Sequence, residues 1–225
     1  MDETNDWGLT KLLQKISAPG ILLFALTIAF ASFDWLMSLD AHWFSTMFGV
    51  YFFAMSFQAL FPVIILIVFW MQKNNILENT VGKSHIYDLG AWFFGFTVFY
   101  AYIAFSQFLL IYYANIPEET LWYYHRLEGS WSVVTYALLF GRFLIPFVLL
   151  LNRDTKHNHK LLIFTSVLVL VMHITELHWI VMPIINYSGI SVSWLDFATL
   201  VGLGGIFMGL FFTTLKKYNL VPVND

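Results

Sequence analysis

The sequence predicts an all-α fold: a polytopic transmembrane helix bundle of about six spans with both termini cytoplasmic. Three observations predict it. Hydrophobic residues make up 59% of the 225 and charged residues only 11%, whereas soluble domains carry about 25% charged residues. The apolar residues fall in segments of about 20 or more, the length a helix needs to cross a bilayer. Basic residues crowd the linkers on one side of those segments. Helices are required because hydrocarbon cannot satisfy free backbone N–H and C=O groups.

Taken in order, the spans are read at 21–39, 44–71, 89–113, 131–151, 161–182 and 194–215. Residues 1–17 form a cytoplasmic or interfacial segment, 18–218 the bundle and 219–225 a cytoplasmic tail. The start of the chain is acidic and polar, so it is not read as a cleavable signal peptide. Leu9, Leu12, Leu13 and Ile16 with Lys11 and Lys15 predict a short amphipathic interfacial helix there. The second span is long enough to tilt, and Pro62 offers a kink. On the sixth, Gly205 and Gly209 have the GxxxG spacing of close helix packing.

Lys11, Lys15, Lys73, Lys83, Arg153, Lys156, Lys160, Lys216 and Lys217 all fall on one side of the predicted membrane, and Arg126 alone on the other. The positive-inside rule makes the first side cytoplasmic. Trp43, Trp122, Tyr123, Tyr124, Trp131, Trp179 and Trp194 gather towards the opposite face as an aromatic belt. Net charge is −3, so nothing points to nucleic acid. No cysteine is present, which excludes disulfides, cysteine-ligated iron–sulfur clusters and a CxxCH haem attachment on this chain.

An ionisable residue inside a span is costly unless partnered. Thr27, Ala31, Asp34 and Ser38 share one face of the first span, and small or polar faces are expected to meet protein. His173 and Glu176 share a face of the fifth span, while His178 points elsewhere. Arg142 lies near the middle of the fourth, with Thr135 on its face. Tyr51 and Gln58 share a face of the second, Tyr100 and Gln107 of the third. Asp34, Arg142, His173 and Glu176 are therefore expected to form one buried polar cluster. Asp40, His42 and His178 are the expected extracytoplasmic entry or exit. Two readings stay open: a structural network in which Arg142 neutralises Glu176 or Asp34, and a proton path or polar pocket for a quinone headgroup.

A b-type haem is disfavoured, because the only histidines within spans, His173 and His178, lie on the same one. No metal site is expected: the His173–Glu176 spacing suits a carboxylate di-iron bundle only when two helices carry it. No residue is singled out as catalytic.

The stretches ASFDWLMSLDAHWFSTMFGVYFFAMSFQA (31–59) and DLGAWFFGFTVFYAYIAFSQFLLIYYANIPEET (88–120) resemble the ActF-type membrane subunits of bacterial alternative complex III. That complex is a quinol:cytochrome c oxidoreductase, and these subunits belong to the NrfD-like, polysulfide-reductase-type membrane anchors. The resemblance is to the C-terminal part of the family's two-bundle fold. It implies a multi-pass subunit in the bacterial inner membrane that serves respiratory electron transport without a redox centre of its own. Implied partners are a sister NrfD-like membrane subunit, an iron–sulfur subunit, haem c subunits, a terminal oxidase and membrane lipids. Haem c and iron–sulfur clusters would sit on those partners; quinone or menaquinone is the candidate ligand here. Asp34, Asp40 and His42 fall on the family motif. The subunit would support quinol oxidation through assembly and proton translocation. The rivals are a purely structural scaffold and, disfavoured because no inverted repeat is visible, a secondary transporter.

Overall fold

The computed structural model describes residues 8–76, 81–186 and 189–217, so the tail at 219–225 lies outside the described residues. Among them the chain is an all-α polytopic bundle without a strand, and six helices are long and apolar enough to cross a membrane. The chain divides into two units, residues 25–190 and the flanking stretches 8–24 with 191–217.

Helix α1 runs without a break from Gly8 to Trp35, so the expected separate interfacial helix is continuous with the first span. Pro19 removes one backbone donor, which the helix absorbs without ending. In the flanking unit, α9 (Trp194–Leu215) starts with a capping box. Ser193 N–H donates to Asp196 Oδ2 (2.8 Å), and Leu195 N–H to Ser193 Oγ (3.3 Å). No residue of α9 is buried. At Gly205 and Gly209, nothing described outside the helix's own local backbone lies within 4 Å of where a Cβ would sit.

The larger unit is built on α2 (Met47–Lys73), α3 (Lys83–Ala114), the fourth span Trp131–Leu151 and α8 (His159–Ile185), with α2 packed on both α3 and α8. The fourth span is α5 (Trp131–Leu138), a π-helical turn (Leu139–Leu144) and α6 (Ile145–Leu151). Two short helices join the spans: α4 (Pro117–Leu127), where a loop was expected, and α7 (Arg153–His157). In α4, Pro117 occupies the first turn with Glu118 and Glu119, while His125 and Arg126 occupy the last. That arrangement complements the helix dipole at both ends.

The end of α1 packs on α2 through Ala29 and Phe33. A Cβ at Gly49 would come within 2.8 Å of the Ala29 Cβ, so only glycine allows this approach. Two apolar clusters fill the unit. One joins Trp43, Phe48, Met55, Ile103, Trp122, Trp131 and Trp179; the other joins Ile65, Ile86, Phe93, Leu150, Leu162 and Val169. In sequence, the four spans that build this unit each pass from one cluster to the other near a polar residue: Gln58 on α2, Thr97 on α3, Arg142 on the π turn and His173 on α8.

Candidate functional site

Those polar residues meet in one buried network. Arg142 is reached through two local features. Gly141 lets the π turn approach α8 closely: a Cβ there would lie 2.7 Å from Met172 Sδ. The π turn, a form often found at functional sites, adds a residue to the helical turn and re-aims the side chain that follows. Arg142 Nη1 pairs with Glu176 Oε2, and both side chains are fully buried. Its Nε donates to Gln58 Oε1 (3.0 Å) and its Nη2 to the Met55 carbonyl (2.8 Å). Nη2 also lies 3.0 Å from His173 Nδ1. A guanidinium cannot accept, so Nδ1 accepts and this imidazole carries its proton on Nε2.

The other carboxylate oxygen, Glu176 Oε1, accepts from two phenols, Tyr51 and Tyr100 (2.7 Å for Tyr100). Arg142 also lies over the Tyr100 ring, 4.5 Å from its centroid. Gln58 Nε2 donates to Thr97 Oγ1 (3.2 Å) and to the Arg142 carbonyl (3.3 Å). Pro146, four residues on, has no N–H, so that carbonyl cannot take an α-helical bond, and Gln58 donates to it. Buried ionic groups in a membrane must pair, and Glu176 and Arg142 do so, with further hydrogen bonds from Tyr51 and Tyr100 to the carboxylate and from Arg142 to Gln58 and the Met55 carbonyl.

The network borders a cavity of about 630 Å³. Glu176, Tyr51 and Tyr100 lie on its wall, and apolar or aromatic side chains such as Phe108, Trp122, Leu138 and Trp179 form most of the rest. Tyr102, Phe105 and Tyr136 also line it and are exposed on the outer surface of α3 and α5. The cavity therefore opens sideways between those helices, on the flank that a bilayer would cover. Tyr123 of α4 lines it too; burial pushes its phenol above the ordinary value, against the influence of Arg126.

A second buried cation stands nearby. Arg126, on α4, donates to the carbonyls of Trp122 (2.7 Å), Trp179 (3.1 Å) and Ile180 (2.6 Å). Its guanidinium carbon lies 3.5 Å from the centre of the Trp122 ring. Pro183 has no N–H for the Trp179 carbonyl, and Arg126 Nε takes its place. Trp179 Nε1 in turn donates to Thr135 Oγ1 (2.8 Å), which donates to the Arg126 carbonyl (2.6 Å).

Of the residues singled out in sequence, the structure brings together Arg142, His173 and Glu176. Asp34 does not join them. It is exposed, one residue from the end of α1, whose buried contact is made by Ser32 and whose neighbours on α2 meet Ala29 and Phe33. Asp40 and His42 lie in the following turn, where His42 N–H donates to Asp40 Oδ1 (3.3 Å). His178 is half-buried against Trp131, ring centres 6.0 Å apart. Among the described residues no three His, Cys, Asp or Glu side chains converge as metal ligands. The sequence reading did not place Thr97 or Arg126 in a buried network. The signal for Arg126 was Pro183, which frees the Trp179 carbonyl for a side-chain donor; Thr97 had no comparable signal. Comparison of the chain with models of known protein families and with curated proteins finds no match.

Proposed function

We propose that this chain is a membrane subunit of a quinol-oxidising electron-transfer complex of the alternative complex III type, in the bacterial inner membrane. Its own contribution is proton handling at Glu176. The observation that carries the reading is the placement of one buried carboxylate. It is paired with Arg142, bonded by two phenols, and set on the wall of a largely apolar cavity open to the bundle's flank.

The volume falls in the range of pockets that take small organic ligands. A quinol ring entering from the bilayer is the candidate occupant. Oxidation of a quinol to a quinone releases two electrons and two protons. The electrons leave to iron–sulfur and haem c groups on partner subunits, and Glu176 with Tyr51 and Tyr100 offers protons a route through the bundle. Arg142 stabilises the carboxylate, and His173, held through Nδ1, has Nε2 free to exchange its proton.

A scaffold role is favoured by one observation: α9, largely apolar beyond its Asp196 cap, buries no residue and offers a face to lipid or to another subunit. The test separates the two readings. The tagged chain is purified from its native membranes, and the preparation is assayed for haem c absorbance and for menaquinol-driven cytochrome c reduction. The proposal expects both to co-purify with the chain, and Glu176→Gln to slow the reduction without loss of haem c. Haem c with unaltered activity in the variant would leave the scaffold. A chain purified without haem c would contradict membership of the complex.

A further inference from the structure

A separate cationic site lies at the opposite end of the bundle, around Tyr87 of α3. Three basic side chains of α7 surround this one ring. The His157 imidazole stacks on it, centroids 5.1 Å apart and planes 18° apart. The Arg153 guanidinium carbon lies 5.5 Å from its centre and the Lys156 Nζ 5.6 Å. Lys156 is only 8% exposed, and its ammonium also lies 4.9 Å from the centre of the Phe94 ring. Its stem is pressed on Gly90, where a Cβ would come within 3.2 Å of Lys156 Cβ and Cγ. The absence of a side chain at 90 is what lets α7 bury a lysine against α3.

Among the described residues neither the Lys156 ammonium nor the Arg153 guanidinium makes a hydrogen bond or an ion pair. Ring faces return only part of what an ammonium loses on leaving water. An anion at this end would supply the hydrogen-bond and charge partner that these groups lack among the described residues. Lys156, Arg153 and the Tyr87 hydroxyl present donors, and the arginine fork matches the oxygens of a phosphate. Basic pockets between spanning helices at the cytoplasmic face are sites for anionic lipid headgroups. Here the pocket sits where α7 links the fourth span to α8, and Leu151, the last residue of that span, is exposed for an acyl chain to follow. Lys83, one turn before Tyr87, and Lys160, at the start of α8, add positive charge to the same end.

We propose that Lys156, Arg153 and Tyr87 bind the phosphate of an anionic phospholipid headgroup. The inference is independent of the role assigned to Glu176. The full chain is reconstituted in vesicles of phosphatidylethanolamine and phosphatidylglycerol in equal amounts, extracted into mild detergent, and its retained lipids counted by native mass spectrometry. The wild-type chain is expected to retain phosphatidylglycerol in preference to phosphatidylethanolamine. The double variant Arg153→Gln with Lys156→Gln should lose that retention by about tenfold or more. Lys156→Arg should keep it, which shows that charge rather than folding is being read. Equal retention by the double variant would overturn the proposal. Binding of inorganic phosphate with no preference between the two lipids would assign the site to a free phosphate and overturn the lipid.

Discussion

Arg126 and Arg142 are 1% and 0% exposed, and each lies in the larger helical unit, yet they are satisfied in different ways. Arg126 spends its donors on main-chain carbonyls at the end of α8 and lays its plane on Trp122. It closes a gap in backbone hydrogen bonding that Pro183 opens, and it fixes α4 against α8. Arg142 also reaches a carbonyl, but its central partner is a carboxylate that two phenols approach from a cavity. Burial of a charge does not by itself mark a functional site. The mark is convergence of groups that can exchange a proton, next to space that a ligand can enter.

The comparison breaks most directly at the ion pair. Glu176→Leu or Arg142→Leu leaves one buried charge alone and should cost about 3–5 kcal/mol, whereas the double replacement should recover much of that loss. Unfolding of the full chain in mixed micelles measures both. Tyr51→Phe and Tyr100→Phe each remove one hydrogen bond to an ionised group, expected to cost about 1.5–3 kcal/mol in the same assay. Arg126→Leu leaves the Trp179 carbonyl without a donor, a loss of about 1–3 kcal/mol. Pro183→Ala restores a backbone N–H at that point, so Arg126→Leu should cost less in the Pro183→Ala background. A double-mutant cycle reads that coupling, and additive effects would break the account of Arg126. Asp34→Asn, at an exposed helix end, should shift stability by less than about 0.5 kcal/mol.

Much of the fold was legible because lipid leaves a spanning chain few options. The apolar lengths placed six spans, and the 131–151 and 194–215 boundaries agree with the helices found. The depth of Arg142, His173 and Glu176 was legible from position along their spans. Asp34 misled because a polar stripe on a helix says nothing about which neighbour it meets; the contact of α1 is set by Gly49 on α2, a residue remote from the stripe. The α4 helix was hidden for another reason. Its end charges, Glu118, Glu119, His125 and Arg126, have the order a helix dipole prefers, but Arg126 read as the charge of an aqueous loop. The π turn has no simple sequence signature beyond Gly141 and Pro146. In the structure the glycine packs against Met172 where the helix widens.

The most direct test of the central claim is the number of protons released per electron by the chain's complex, purified through the tagged chain and reconstituted in sealed vesicles. Glu176→Gln keeps the shape of the side chain and a carbonyl oxygen for Tyr51 and Tyr100, but it cannot carry a proton. The account predicts a lower proton yield per electron in that variant, with the wild-type yield retained in Asp34→Asn. An unchanged yield and an unchanged rate in Glu176→Gln would contradict it and leave the cluster with a structural role alone.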